Sequence, residues 1–97
     1  MIKFIIMTFL SLTFLAKNAY AESTILVQST TSTKNSGLYD HILPFVKQDT
    51  GITVNVIADG TGAAIKNAKN CDGDVLLVHS RKREDHFVAD GYATRRY

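Results

Sequence analysis

The hydrophobic positions of the chain fall into short runs with the spacing of strands, separated by longer segments with the spacing of helices. Residues 24–27 are mostly apolar, residues 52–57 are β-branched and partly alternating, and residues 75–78 form a continuous apolar run. The first two patterns are typical of strands, and an uninterrupted apolar run is typical of a strand covered on both faces. The sequence therefore predicts three strands.

A helix is predicted after each of these strands. The second predicted helix covers residues 63–69, and the third covers residues 83–89. Pro44 predicts a bend or a break in the first helix. Ser36 is a candidate N-cap of the first helix, and Gly51 suits its C-cap. The first helix is indicated by apolar residues at helical spacing, namely Leu38, Ile42, Phe45 and Val46. The β-α-β-α-β-α order predicts an α/β fold with parallel strands.

The segment between the first strand and the first helix, residues 28–37, is rich in short hydroxyl side chains. Residues 30–33 are all serine or threonine. Such a turn at the start of a helix can bind an anion, because free backbone N–H groups and the positive end of the helix dipole point there. On composition alone, the same block is more often an ordinary loop with a helix N-cap. A second turn of this kind, residues 59–62, shifts the interpretation towards an anion site.

Parallel strands would bring these turns to one edge of the sheet. Ligands of open parallel sheets bind beyond the carboxyl ends of the strands, next to helix N-termini. Residues 29–36, 58–62 and 79–80 form the three loops at that edge. The first two loops carry hydroxyls, and the glycines of the second allow close backbone approach. The pattern predicts a small oxyanion bound by neutral donors.

Residues 1–21 have the pattern of an export signal. Lys3 gives a positive start, residues 4–16 are apolar, and residues 19–21 offer a small-x-small cleavage site. The apolar run is too short to span a bilayer comfortably. Removing this segment leaves nine basic and nine acidic residues, so the mature chain, residues 22–97, is near neutral. That balance gives no nucleic-acid signature.

The reactive side chains show no catalytic or metal-binding pattern. Cys71 is the only cysteine and cannot form an internal disulfide. The three histidines lack metal-ligand spacing with each other or with Cys71, so no metal cation is predicted. No nucleophile, base and orienting group are brought together, so neither an enzyme nor a cofactor is predicted. An enzyme using residues 59–62 to grip a phosphate is an alternative, but this turn lacks the Gly-Lys-Ser/Thr ending of a P-loop.

Several motifs occur in the order and spacing of a known family. The matching segments are STTST (29–33), SGL (36–38), TGI (50–52), GTGA (60–63), DVLLVH (74–79) and FVADGY (87–92). Together they resemble the TupA-like proteins, the periplasmic substrate-binding components of tungstate ABC transporters. The resemblance covers essentially all of the mature chain.

The resemblance implies a type II periplasmic-binding-protein fold of two α/β lobes, with residues 22–97 as the N-terminal part of the first lobe. It also implies a periplasmic monomer that binds tungstate, or molybdate, and delivers it to a membrane permease and its ATPase. An arginine near the end of the chain would add charge-assisted donors to an oxyanion. The ligand residues implied are Ser29, Thr30, Thr31, Ser32, Gly60, Thr61, Gly62 and Arg95, with Arg96 as the alternative arginine.

The sequence also departs from the family pattern. Ser29 stands where threonine is more frequent, and Asp59 stands where a small apolar residue is usual. A carboxylate there would repel an oxyanion unless it points away. The chain stops at Tyr97, before the segments that supply the second lobe, so the resemblance predicts an N-terminal fragment with weak or absent binding. The alternatives are a phosphate- or sulfate-binding protein and a non-functional gene fragment.

Overall fold

The structure of the chain is a computed structural model that describes residues 23–97. The export signal predicted for residues 1–21 lies outside the described residues. None of the helices in residues 23–97 is long and apolar enough to cross a membrane. The elements, in chain order, are β1 (Thr24–Thr30), α1 (Thr31–Asn35), α2 (Leu38–Thr50), β2 (Thr53–Asp59), α3 (Thr61–Lys69), β3 (Val75–Leu76) and α4 (Arg81–Ala89).

The three strands form one parallel sheet, in the order β2-β1-β3. β1 pairs with β2 along its whole length, ending with Thr30 opposite Asp59. On its other side, β1 pairs with β3 at Val27 and Gln28. The predicted α/β class and parallel strands are confirmed. Because β1 is paired on both sides, its polar carboxyl half lies in the middle of the fold.

Helices pack on both faces of the sheet. On one face, the Tyr39 hydroxyl of α2 is hydrogen-bonded to Ser29 of β1. On the other face, the Asn67 side chain of α3 donates to Gln28 of β1 at 3.3 Å. Neighbouring residues of a strand point to opposite faces, so α2 and α3 lie on opposite sides of β1. The buried apolar residues are Val27, Tyr39, Ala64 and Phe87.

Gln28 connects the centre of the sheet to the loop before β3. Its side chain is buried, with 1% of the residue exposed. The Gln28 Nε2 donates to the Asp72 carbonyl, and its Oε1 accepts from Asn67 Nδ2. Gly73 lies close beside it, and a Cβ at that position would be 3.0 Å from Gln28 Cγ, a tight contact. The Gln28 amide thus satisfies polar groups that an apolar side chain would leave unpaired.

The segment predicted as one hydroxyl-rich turn is divided between two elements. The turn was predicted to begin at Gln28, but β1 continues to Thr30, and residues 28–30 are all buried. Pairing with β2 keeps these polar residues extended, because tertiary context outweighs the weak strand preference of short polar side chains. Thr31–Asn35 then form the helix α1, where a loop was predicted.

Glycines cap both ends of α2. The N-cap is Gly37, with φ of 84°, whereas the predicted cap Ser36 ends α1 instead. Gly51, with φ of 71°, caps the other end as predicted. Glycine adopts this left-handed conformation without the steric cost of a Cβ. Pro44 does not break the helix, which continues from Leu38 to Thr50.

β3 is shorter and more exposed than its sequence predicts. A strand was predicted over residues 75–78, but only Val75–Leu76 pair with β1. Val75 and Leu77 are 43% and 41% exposed, so the prediction of a strand covered on both faces is wrong for the described residues. The reason is that α2 packs over β2 and leaves this side of the sheet open.

The first prediction concerns Gln28. Replacing Gln28 with Leu keeps most of the side-chain volume but leaves the Asp72 carbonyl and the Asn67 amide without their partner. We expect the free energy of unfolding to fall by about 1–3 kcal/mol, measured by urea denaturation. The matched control is Gln48→Leu on the exposed side of α2, which should change stability by less than about 0.5 kcal/mol. Equal effects of the two variants would contradict a role for Gln28 in stability.

Candidate functional site

Two hydroxyl-bearing turns lie side by side at the carboxyl edge of the sheet. Thr30 ends β1 opposite Asp59, which ends β2. α1 begins directly after Thr30, and α3 begins at Thr61, two residues before its predicted start, with Gly60 as N-cap. The parallel register therefore brings the first and second predicted loops together, as the sequence analysis expected.

The Thr30 side chain is used to cap α1. Its Oγ1 accepts a hydrogen bond from the Thr33 N–H at 3.3 Å and is hydrogen-bonded to the Thr33 hydroxyl at 2.8 Å. The Ser32 hydroxyl lies 3.2 Å from the same oxygen. Thr30 is only 2% exposed. The Thr30 hydroxyl therefore belongs to a small hydroxyl cluster that shapes the first turn.

Ser29 is fully buried, with 0% of its surface exposed. Its Oγ donates to the Leu77 carbonyl at 2.9 Å and is also hydrogen-bonded to the Tyr39 hydroxyl. A serine hydroxyl has one proton, and a carbonyl oxygen can only accept. The Tyr39 hydroxyl must therefore be the donor to Ser29, and both of these protons are already used within the protein.

The loop after β3 remains bonded to β1 beyond the last paired residue. The Leu77 N–H donates to the Gln28 carbonyl at 2.8 Å, and the Leu77 carbonyl accepts from Ser29 Oγ. Leu77 therefore fixes the end of the central strand with both of its backbone groups.

The remaining donors of the two turns are more accessible. Thr31 and Ser32 are exposed at the start of α1, and Thr61 is half-buried at the start of α3. In the part of the chain that the structure describes, the hydroxyls of Thr31 and Thr61 make no hydrogen bond. Gly60 and Gly62 flank Thr61 and have no atom within 4 Å of a hypothetical Cβ, so the backbone there is open to approach.

A family model described as the PBP superfamily domain matches residues 17–96. The match includes nearly all the described residues. The chain belongs to the PBP superfamily. The type II binding-protein architecture expected from the sequence motifs is in line with this match.

Individual relatives agree with the family. The tungstate-binding protein TupA of Peptoclostridium acidaminophilum is 49% identical over 71 residues, which are 73% of this chain and 25% of that protein. The solved TupA structure from Desulfovibrio alaskensis G20 is 44% identical, with a TM-score of 0.75 over 76% of this chain and 30% of that chain. The structure of the tungstate ABC transporter from Geobacter sulfurreducens is 47% identical, with a TM-score of 0.68 over 72% of this chain and 30% of that one.

These similarities confirm the resemblance to TupA-like proteins. They also define its extent, because this PBP domain spans about a quarter of the length of the curated relatives it matches. The relatives carry the names of tungstate-binding and transport proteins, which are binding proteins and not enzymes.

The two arginines near the end of the PBP domain contact other side chains. The Arg95 guanidinium donates to the Tyr97 hydroxyl at 2.8 Å and stacks on that ring at 4.5 Å from its centroid. Arg96 forms an ion pair with Glu84 of α4 at 3.2 Å. Neither arginine contacts the two hydroxyl turns in the described residues, so the ligand role implied for Arg95 stays a prediction.

The acidic and metal-ligating residues add one feature to the site. Residues 23–97 contain no group of three His, Cys, Asp or Glu side chains able to hold a metal ion. Asp59 is half-buried and lies opposite Thr30, and its side chain forms no ion pair among these residues. A negative charge therefore borders the two turns.

Sequence reasoning missed Tyr39 and Leu77. Tyr39 is 8% exposed, and its hydroxyl is bonded to Ser29 within the site region. The available signal was its spacing, because Tyr39, Leu43 and Val46 share one face of α2 and only Tyr39 carries a polar group there. The role of Leu77 depends on its carbonyl, for which a sequence gives no signal.

The second prediction separates the two threonines. Thr30→Val removes the hydroxyl that caps α1, so we expect the anion-free chain to lose about 1 kcal/mol of stability in urea denaturation. Thr61→Val is the matched control, because the Thr61 hydroxyl makes no hydrogen bond among the described residues and its loss should change stability little. A larger loss for Thr61→Val than for Thr30→Val would be incompatible with this division of roles.

Proposed function

We propose that this chain is part of a periplasmic tungstate-binding protein of an ABC importer. The oxyanion is held at the carboxyl edge of the sheet by hydroxyls and backbone amides of the two turns, residues 29–32 and 60–62. The observation that carries the proposal is the register of β1 with β2, which sets Thr30 opposite Asp59 and so joins the two donor-rich turns.

The donors of the two turns suit an oxyanion. The Thr31 and Thr61 hydroxyls are hydrogen-bond donors without a partner in residues 23–97. The first-turn N–H groups of α3 also lack an intrahelical acceptor and carry the positive end of its dipole. Tungstate and molybdate have the same tetrahedral shape and charge, so both fit this donor set. The relatives named as tungstate-binding proteins favour tungstate.

The remaining parts of the proposal concern the partners, location and assembly of the protein. A binding protein of an ABC importer captures its ligand outside the inner membrane and passes it to a permease and an ATPase. We propose this partner and the periplasmic location, with residues 1–21 as the export signal, and a monomeric protein without a cofactor or an enzymatic activity. Ser29 supports the first turn in this proposal, and Arg95 is the charged residue proposed to complete the ligand shell.

The third prediction tests anion binding by thermal unfolding of the purified chain. Tungstate at about one hundred times its dissociation constant should stabilise the folded state by about 2.7 kcal/mol. For a domain of this size, that corresponds to a rise in Tm of about 10 °C or more. Molybdate should act similarly, whereas sulfate and phosphate at the same concentration should leave Tm unchanged.

A chimera tests the case in which the chain alone binds the anion too weakly to raise its Tm. Residues 23–97 replace the matching segment of the Peptoclostridium acidaminophilum protein, so that the remaining three-quarters of that relative enclose the ligand. We expect tungstate to stabilise the chimera more than the chain alone, because enclosure excludes water and preorganises the donors. A folded chimera that sulfate or phosphate stabilises in preference to tungstate would reject the proposal in favour of the alternative anion-binding protein.

The fourth prediction concerns Asp59. Its carboxylate borders the proposed site and repels an oxyanion, so Asp59→Asn should strengthen tungstate binding by about 1 kcal/mol, or about fivefold. Isothermal titration of the chimera measures this change. Asp49→Asn is the matched control, since Asp49 is exposed near the end of α2, away from the two turns, and should leave the affinity unchanged. Weaker binding in Asp59→Asn would place the anion elsewhere.

A further inference from the structure

A groove lined by residues of α3 and α4 begins beside the second turn. Its volume is about 590 Å³. On the α3 side it is lined by Gly62, Ile65 and Lys69, which share one face of that helix. Gly62 directly follows Thr61 of the second turn, and α4 starts after residues 79–80, the third loop predicted at the carboxyl edge of the sheet. One end of the groove therefore lies next to the proposed oxyanion site.

The groove has an apolar floor and a basic rim. The floor contains Phe87, which is buried, and Ile65, which is half-buried. The exposed cationic side chains of the rim are Lys69, Lys82 and Arg83. Asp90 is the single carboxylate among the described residues that line the groove. Because three cations face one anion, the groove has a net positive charge, although the mature chain as a whole is near neutral.

The acidic residues of α4 do not neutralise this rim, because other arginines use them. The ion pairs are Arg81–Asp85, at 3.7 Å, and Arg96–Glu84, at 3.2 Å. In residues 23–97, Lys82 and Arg83 form no ion pair. Both lie in the first turn of α4, where the helix dipole repels a positive charge. These two charges therefore do not help α4 to form, and they remain available to an anionic partner.

We propose that this groove is the docking surface for an acidic segment of the permease that receives the oxyanion. The inference rests on the proposed function, which gives the protein a membrane partner. A permease that accepts the anion has to contact the protein near the edge where the anion is held, and the groove begins at that edge. The basic rim attracts carboxylates and excludes a basic segment. The floor between Ile65 and Phe87 accepts an apolar side chain.

The dimensions of the groove indicate the length of the segment. α3 and α4 each have nine residues. Helices of that length extend about 13 Å, which encloses about four residues of an extended chain. The segment that fits has one apolar residue between acidic residues. A protein segment fits better than a membrane surface, because lipid headgroups would contact the rim and leave the apolar floor uncovered.

The fifth prediction tests the groove with a blocked peptide that has one phenylalanine between two pairs of acidic residues. In an NMR titration of the ¹⁵N-labelled chain, the peptide should move the amide resonances of the groove residues in α3 and α4. Arg83→Ser should weaken binding about threefold, and Lys82→Ser combined with Arg83→Ser about fivefold or more, because each variant removes a charge from the rim. Added salt should weaken binding as well, since it screens exposed charges.

Arg81→Ser is the matched control for Arg83→Ser. Arg81 is an exposed arginine of the same helix, but it lies outside the groove and is paired with Asp85. Its loss should leave the peptide affinity nearly unchanged. Two further peptides test the floor and the rim separately. Serine in place of the phenylalanine should weaken binding several-fold, and lysines in place of the acidic residues should abolish it.

The outcomes separate this inference from the proposed function. If tungstate stabilises the chain but Arg83→Ser and Arg81→Ser bind the peptide equally, the docking role is wrong and the proposed function stands. The same holds if the chimera, which contains the rest of the relative, no longer binds the peptide. If no anion stabilises the chain or the chimera, the proposed function fails and the assignment to a permease fails with it, even where the peptide binds.

Two competition experiments test other occupants of the groove. Vesicles of phosphatidylglycerol that bind through Lys82 and Arg83 more tightly than the peptide would assign the surface to the membrane and overturn the docking role. Tungstate that moves the same amide resonances and displaces the peptide would make the groove part of the anion site, which also overturns it. The docking role is supported when neither vesicles nor tungstate displace the peptide.

Discussion

The buried carboxyl half of β1 is the constraint on which the rest of the structure depends. Helices pack on both faces of the central strand, so its side chains lie inside the protein, yet Gln28, Ser29 and Thr30 are polar. Each buried polar group needs a partner. Gln28 bonds to α3 and the loop before β3, Ser29 bonds to α2 and the loop after β3, and Thr30 caps α1. Three consecutive side chains thereby connect the strand to most of the elements around it.

The same constraint divides the donors of the site into two groups. The hydroxyls of Ser29 and Thr30 are used within the protein, where they hold the first turn in place. The hydroxyls of Thr31 and Thr61 have no acceptor within the described chain and are available to a ligand. A binding site of neutral donors needs such support, because each donor must be held in position before the anion arrives.

The order of elements was predictable because it depends on local periodicity. Apolar runs and helical spacing gave three strands, three of the helices and the parallel sheet, and the flanking residues gave the glycine cap at Gly51. The predictions failed where neighbours in space outweigh local preference. β1 extends through three polar residues because β2 pairs with them, whereas β3 pairs with β1 only at Val75 and Leu76. The cap of α2 moved from Ser36 to Gly37 because Ser36 closes α1, a helix that the hydroxyl pattern did not indicate.

The sequence by itself determined the fold class, the edge of the sheet where the two turns meet and the family to which the chain is similar. These follow from residue types and their spacing, which any sequence displays directly. Only the tertiary structure decided which hydroxyls of the two turns are hydrogen-bonded within the protein and which are free, since that depends on partners distant in the chain. Ser29 and Leu77 are 48 positions apart, and Tyr39 reaches the same hydroxyl from a third element. A hydroxyl-rich segment looks uniform in sequence. Its residues differ in role only because the sheet and helices give some of the hydroxyls a hydrogen-bond partner and leave others without one.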